Sequence, residues 1–310
     1  SRLCHAASVS GLKETLGIGA PTCSLSDFIG TQLLVIFGSN LANNQPVTTK
    51  YMHYAKKHGT RIAVVNPTRE YGLERYWVPS VASSALFGTK LMDEFFQVRV
   101  GGDIAFINGG IKTLIALNRV DQEFIAKRTT GYEDLKAALV AQSWEMLEER
   151  SGLSRQEMER FALLYGHARS AVFLYSMGLT QHEFGVDNVK AIVNLALSRG
   201  MLGRDKCGIM PIGGHSGIQG GGDCGAEADK FPGGFPVNEE RARRFSNLWR
   251  HPVPSRPGLR VSEMIEAAGN GELNFLYSIG GNLLETMPDR NFTARALEKI
   301  AVRVHQDIVP

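Results

Sequence analysis

The stretch QLLVIFG, residues 32–38, is an unbroken apolar run rich in β-forming side chains that ends in a glycine. Such a run is typical of a strand buried on both faces. The polar loop SNLANNQP follows, and VTTKYMHYAKKH at 47–58 then predicts a helix that Gly59 can cap. A second strand, RIAVV, is predicted at 61–65. Strand, helix and strand within 34 residues form a βαβ unit, which requires a parallel sheet.

The same order of elements returns twice along the chain. SAVFLYSMG at 170–178 predicts a strand, and a loop then leads to an amphipathic helix closed by Gly200. LNFLYSIGGN at 273–282 predicts a third strand, followed by a helix at about 289–299 and a strand at 300–307. Three more helices are predicted over 103–117, 133–150 and 151–168, the last with Ser154 as N-cap and Glu157 at capping-box spacing. We therefore expect an α/β fold of doubly wound, mostly parallel sheets with flanking helices.

Polar residues follow the first two predicted strands, as GSNLANN and NPTR. Ligands of parallel sheets bind at the carboxyl ends of the strands, where neighbouring loops diverge. Side-chain amides and glycine N–H groups at such an edge suit a ribose, a purine edge or a pyrophosphate. The sequence thus predicts a ligand site at this edge.

Composition excludes several functional classes. The net charge is only +3 and no long basic run occurs, so nucleic-acid binding is not expected. No apolar stretch is long enough to span a membrane and no signal peptide is visible. The four cysteines form no C-x-x-C pair, so no zinc or iron–sulfur site is expected in this segment, and reduced thiols in a cytoplasmic protein are expected.

The first residue is not Met and the last residues resemble a buried strand, so we expect a piece of a longer protein.

A glycine-rich stretch divides the chain. Seven of the fifteen residues from Pro211 to Gly225 are glycine, which fits either a flexible linker or a loop whose backbone closely approaches a ligand. Because His215 and Ser216 lie among the glycines, we favour a ligand at a domain boundary. The predicted domains are 1–214, carrying the first cofactor-binding region, and 215–310, part of a second α/β cofactor-binding domain.

Seven motifs together resemble the molybdopterin-dependent oxidoreductases of the dimethyl sulfoxide reductase superfamily, in particular formate dehydrogenase-like alpha subunits. In order along the chain, they are RLCHAASVSGL, FGSNLANN, VVNPTRE, QVRVGGD, MGLTQHEFGVDNV, IGGHSGIQGG and SIGGNLLE. The resemblance covers essentially the whole chain and implies the central domains of that fold. It also implies a 4Fe–4S cluster on an N-terminal part and a further C-terminal cofactor domain, both outside this sequence, and an electron-transfer partner.

The resemblance assigns Cys4 as the ligand of molybdenum or tungsten and His5 as an acid/base in proton transfer. The residue types suit these roles. A thiolate is a soft ligand for a transition metal, and a helix predicted to begin at about Ser8 would favour that thiolate with its positive end. An imidazole titrates near neutrality and can relay the proton released in a two-electron oxidation.

The resemblance also implies a bis-molybdopterin guanine dinucleotide cofactor, whose two nucleotides fit the recurring α/β pattern. The cofactor-binding residues carried over are Gly38, Asn40, Asn43, Asn44, Asn66, Pro67, Thr68, Arg69, Gly101, Asp103, Met177, Gly178, Gln181, Gly214, Ser216 and Gln219. Gly280, Asn282 and Asp307 are carried over more loosely.

Two positions depart from the family pattern. Asn66 stands where the family often has aspartate, and Gly213 stands where it usually has an arginine that would hold an anionic substrate such as formate. Glycine can neither pair with a carboxylate nor supply charge. The alternative to an active oxidoreductase is therefore a domain that keeps the cofactor shell but has lost turnover. An NAD enzyme of Rossmann type ranks below both, because GSNLAN replaces G-x-G-x-x-G after the first strand.

Overall fold

The computed structural model describes residues 4–78, 81–215 and 217–308, apart from the side chain of Gln219. The chain divides into two compact units, one within residues 3–214 and the other within residues 215–310. Each unit is built around its own parallel strands and its own apolar core.

The first unit is built on a five-stranded, wholly parallel sheet of order β5-β2-β1-β6-β7. Its strands are β1 (Leu33–Phe37), β2 (Arg61–Val65), β5 (Glu94–Phe96), β6 (Ala171–Tyr175) and β7 (Gly208–Pro211). The register pairs Leu33 with Arg61 on one side and with Ala171 on the other. A short antiparallel hairpin, β3 (Arg75–Tyr76) and β4 (Thr89–Lys90), lies beyond β2 in the sequence.

Helices cover both faces of this sheet. Along β1, Leu33, Val35 and Phe37 enter one core, and Leu34 and Ile36 enter the other. All five are at most 1% exposed, and full burial of each such side chain contributes about 1.5–3 kcal/mol to folding. The helices are α1 (Ala6–Leu16), a 3₁₀ turn (Leu25–Phe28), α2 (Leu41–Asn44), α3 (Pro46–Lys57), α4 (Tyr71–Glu74), α5 (Ala82–Phe87), α6 (Asp103–Ala116), α7 (Gln122–Arg128), α8 (Tyr132–Ala141), α9 (Trp144–Ser151), α10 (Arg155–His167), α11 (Met177–Thr180) and α12 (Gly185–Leu197).

The predicted fold class is confirmed, with local corrections. The helix predicted over 133–150 is two helices, because Ser143 leaves the helical conformation and its hydroxyl caps α9 by accepting from Met146 N–H. The strand predicted over 170–178 ends at Tyr175, and a helical turn replaces its last residues. The Ser154 cap is confirmed, since its hydroxyl accepts from Glu157 N–H at 3.3 Å.

The second unit is smaller. Its strands β10 (Phe275–Ile279) and β11 (Val302–Gln306) pair in parallel, and β8 (Lys230–Phe231) pairs antiparallel with β9 (Phe235–Pro236). Its helices are α13 (Ile218–Asp223), α14 (Glu239–Trp249), α15 (Val261–Gly269), α16 (Leu283–Thr286) and α17 (Arg290–Glu298). The glycine-rich stretch thus contains a short helix that the sequence did not predict.

The expectation of a buried final strand is wrong for this chain. Every residue of β11 is exposed, because β10 is its one strand neighbour among residues 217–308. Across the part of the chain that the structure describes, no helix has the length and apolar character needed to cross a membrane.

Candidate cofactor-binding site

The carboxyl ends of β1 and β6 form the switch point of the sheet. After β1 the chain proceeds to β2 and β5 on one side, whereas β6 leads to β7 on the other. Loops that leave adjacent parallel strands in opposite directions open a crevice between them, and ligands of open α/β sheets bind there. The sequence-predicted ligand edge therefore lies at the switch point.

Two of the predicted glycines bring the loops after β1 and β6 into contact at the base of this crevice. Gly178 N–H donates to Gly38 O at 3.0 Å. A Cβ on Gly178 would lie 2.6 Å from Gly38 Cα, and Gly38 itself has a φ of 55°. These glycines are thus required by the close approach of two loops, whatever ligand lies above them.

The chain fold brings Cys4 and His5 to the same edge. Thr180 Oγ1 donates to Cys4 O at 2.6 Å, and His5 Nε2 lies 2.9 Å from Ile212 O, just after β7. The helix that follows begins at Ala6, two residues before the predicted start, with His5 as its N-cap residue. Both residues are half-buried and lie at the turn that precedes α1.

Both nitrogens of the His5 ring have partners. Nε2 faces the Ile212 carbonyl, and Nδ1 lies 2.8 Å from Ser8 Oγ. Burial lowers the pKa of His5 below its ordinary value, and the hydrogen bond to Ile212 opposes this shift. To accept a proton from a bound molecule, the ring must first release one of these bonds.

Buried acceptors without protein partners gather near the crevice. Among the described residues, Ser39 Oγ, Asn40 Oδ1 and Gln45 Oε1 are buried and accept no hydrogen bond. The amide nitrogens are committed: Asn40 Nδ2 donates to Glu70 Oε2 at 2.8 Å, and Gln45 Nε2 donates to Gly213 O at 2.9 Å. Since both of those partners only accept, the unpaired atoms are the amide oxygens. A ligand with N–H or O–H donors would satisfy them.

Asn66 is occupied within the protein. It is 3% exposed, its Oδ1 accepts from Ser39 N–H at 3.1 Å, and its Nδ2 donates to Ser39 O at 3.1 Å. This amide fixes the loop after β1 to the loop after β2. The next residues, Pro67, Thr68 and Arg69, are exposed, and Arg69 pairs with Glu74 at 2.8 Å. Direct ligand contact by these four residues stays a prediction.

Asp103 is an unusual buried carboxylate. It is the first residue of α6 and only 5% exposed. Burial raises its pKa to about 6, against the lowering influence of its own backbone N–H and of His182. Neighbouring Gly101 is exposed, with a φ of 79°. Ionising a carboxyl group that is buried this deeply costs free energy. Buried groups with a shifted pKa are common at functional sites.

For the remaining predicted residues, the structure gives less evidence of a role at the site. Met177 is half-buried, and its Cε would lie 3.3 Å from a Cβ on Gly214. Asn43, Asn44 and Gln181 are exposed. Ser216 and the side chain of Gln219 lie outside the described residues.

The second unit has its own candidate site. A cleft of about 430 Å³ lies at the carboxyl ends of β10 and β11, bordered by the predicted Asn282 and Asp307. Asn282 Oδ1 caps α16 by accepting from Glu285 N–H at 3.3 Å, and Asp307 lies 3.3 Å from His305. Gly280, also predicted, has a φ of 61° between strand and helix.

Sequence reasoning missed the residues that hold the predicted ones in place. Ser8, Gln45, Ser176 and Thr180 each contact a predicted residue or the loop beside it. Small polar residues occur throughout proteins in turns, caps and surfaces, so the residue type alone does not indicate such a role. Three of the four carried a positional signal, since Ser8 and Thr180 lie inside two of the motifs and Gln45 directly follows GSNLANN.

Comparisons with known proteins identify the family of this chain. A family model described as Molybdopterin oxidoreductase matches residues 1–309. The chain belongs to the molybdopterin oxidoreductase family. This establishes the resemblance that the seven motifs carry.

Several relatives have a similar sequence. The chain is 34% identical to the F420-dependent formate dehydrogenase 1 subunit alpha of Methanococcus maripaludis, over 99% of this chain and 43% of that protein. It is 32% identical to Protein YdeP of Shigella flexneri, over 98% and 41%, and 29% identical to formate dehydrogenase H of Escherichia coli, over 99% and 41%. The chain thus spans about two-fifths of the length of these curated relatives.

A solved structure supports the fold alone. Acetylene hydratase from Pelobacter acetylenicus matches with a TM-score of 0.67 at 15% identity, over 97% of this chain and 41% of that one. The α/β architecture with a parallel sheet and flanking helices is therefore shared with that structure.

Proposed function

We propose that this chain is the central cofactor-binding region of a formate dehydrogenase-like oxidoreductase that uses a bis-molybdopterin guanine dinucleotide with molybdenum or tungsten. Family membership and the formate dehydrogenase relatives support a molybdopterin enzyme. The observation that carries the proposal is the convergence of Cys4, two tightly packed loops and unpaired buried acceptors at one switch point.

The residues present fit such a cofactor. Pterin and guanine rings carry N–H donors, and the unpaired oxygens of Asn40 and Gln45 can accept from them. Gly38 and Gly178 hold the loops after β1 and β6 in backbone contact at the base of the crevice, which fixes the polar residues that follow β1. The cleft beside Asn282 and Asp307 would take part of the second nucleotide.

When bound, the metal would supply the two-electron redox chemistry. Cys4 would provide a thiolate ligand, which a soft-ligand metal prefers. His5 would hold the proton released near the metal, after exchanging one of its two present hydrogen bonds. The turn before α1 positions both residues, because Thr180 fixes the Cys4 carbonyl.

Gly213 bears on the substrate. Its carbonyl is bound by Gln45, and its lack of a side chain means that it brings no cation to an anionic substrate. This favours a substrate other than formate. It also supports the second candidate function, a cofactor-binding domain without turnover.

The first experiment is to purify the longest natural polypeptide that contains this chain and measure its molybdenum, tungsten and released GMP. We expect about one metal and two GMP per chain, with the metal lost or its spectrum changed in Cys4→Ala. Cys224→Ala is the matched control, since Cys224 is an exposed free cysteine, and it should keep both.

A folded protein without metal or GMP would contradict the cofactor proposal altogether. Full metal and GMP in wild-type protein that oxidises no substrate, formate included, would instead favour the domain without turnover. Metal retained with an unchanged spectrum in Cys4→Ala would remove Cys4 as the ligand.

A further inference from the structure

Cys4 and His5 are adjacent in the sequence, and both side chains are able to bind the same metal. Thiolate and imidazole are both good ligands for transition metals. A metal bound by Cys4 would therefore lie within reach of an imidazole on the next residue. If a ring nitrogen were free, it could occupy a coordination position that substrate needs.

The structure shows how both ring nitrogens are occupied. Ile212 O can only accept a hydrogen bond, so His5 Nε2, 2.9 Å away, must carry the hydrogen. A neutral imidazole has one N–H, so Nδ1 is left as an acceptor. The hydroxyl of Ser8, 2.8 Å from Nδ1, is then the donor. The two partners thus specify one tautomer and one ring orientation.

These partners are themselves held in place by the first unit. Ser8 lies on α1 and is 2% exposed. The Ile212 carbonyl also accepts from Ser176 Oγ at 2.9 Å, which fixes it beside the end of β6. The ring of buried Tyr175 is also close, with its centroid 6.3 Å from that of the imidazole. Turning the His5 ring would break both hydrogen bonds at once.

We propose that Ser8 and the Ile212 carbonyl withhold both nitrogens of His5 from the metal, so that Cys4 is the only ligand from this segment. Ser8 is then a positioning residue that determines coordination without touching the metal. The inference rests on the proposed function, because it takes Cys4 as the ligand.

The first test reads the histidine directly. The chain is labelled with ¹⁵N-histidine, and long-range ¹H–¹⁵N spectra are recorded at one pH, 8, with the His5 signals identified by their absence in His5→Asn. We expect the Nε2–H tautomer in the wild type. In Ser8→Ala the Nδ1 resonance should move downfield, to the position of an unbonded acceptor. Ser10→Ala is the control on the same helix. It should leave the Nδ1 resonance of His5 unchanged, because Ser10 does not contact the ring.

A wild-type Nδ1–H tautomer, or an Nδ1 resonance unchanged by Ser8→Ala, would overturn the inference. If Ser8→Ala fails to fold, Ser8→Cys keeps a weaker donor of similar size and should give a smaller downfield shift. If both variants fail, the wild-type Nδ1 resonance decides the question, because the position of an unbonded acceptor there would overturn the inference and that of a hydrogen-bonded acceptor would support it.

The second test examines the metal in the metal-loaded full protein. Electron–nuclear double resonance of the paramagnetic metal state should show no directly bound histidine nitrogen in the wild type and a bound nitrogen in Ser8→Ala. A nitrogen coupling in the wild type contradicts this inference and leaves the proposed function intact. Absence of any metal, measured by elemental analysis, contradicts both.

Discussion

Replacing Asp103 by asparagine should stabilise the first unit, and by an amount that depends on pH. Asp103 is 5% exposed, and its pKa is raised from 3.8 to about 6. Between these two values the native state binds a proton that the unfolded state releases. The wild type therefore loses stability as pH rises through this window, by about 3 kcal/mol in total, at 1.36 kcal/mol per pKa unit.

Asp103→Asn removes the charge and keeps an oxygen that can accept from the backbone N–H of the first turn. Its unfolding free energy should exceed that of the wild type by about 1.5 kcal/mol at pH 5 and by about 3 kcal/mol at pH 8. The assay is urea unfolding followed by circular dichroism at several pH values. The pH dependence separates a buried charge from a general effect on folding.

Asp134→Asn is the matched control. Asp134 also lies in the first turn of a helix, α8, but is exposed. Its replacement should cost only a few tenths of a kcal/mol through the helix dipole, with little dependence on pH. A variant at 103 that is less stable than the wild type at pH 8, or equally shifted at pH 5 and pH 8, would refute the reasoning.

Three further predictions concern the loops and the thiols. Gly178→Ala should lower the free energy of unfolding by about 1–3 kcal/mol, because the new Cβ meets backbone at 2.6 Å, whereas Gly220→Ala meets nothing within 4 Å and should be neutral by urea unfolding. Burial raises the pKa of Cys23 to about 12, so iodoacetamide at pH 8 should label exposed Cys224 much faster, and equal rates by mass spectrometry would contradict this. Asn66→Ala should lower the melting temperature, because it leaves the Ser39 N–H and carbonyl without their buried partner; an unchanged melting temperature would show that this amide does not hold the loop.

The elements that sequence reasoning predicted best are those with strong local signals. β1 and β2 were predicted within one residue of their observed ends because their side chains are apolar on both faces. The Ser154 cap was predicted from its spacing to Glu157. The break in the helix predicted over 133–150 is missed, because no glycine or proline near Ser143 marks the end of a helix.

The candidate site also has features that the sequence predicts and features that it does not. The residues after β1 and β2 could be placed at one edge from sequence, since parallel strands end together. The pairing of His5 with Ile212 could not, because 207 positions separate them and a carbonyl has no sequence signature. The contact of Gly38 with Gly178 likewise depends on β1 and β6 being neighbours.

The sequence by itself determined the α/β class, the family and the residues able to carry the chemistry, because hydrophobic periodicity, caps and motifs are local properties of the chain. The tertiary structure decided which of those residues meet. It put Cys4 beside the loops after β6 and β7, used the Asn66 amide to join two loops, and left the oxygens of Asn40 and Gln45 without partners. The physical reason is that hydrogen-bond partners and burial arise from strand order, which packing of the whole chain selects and no single segment encodes.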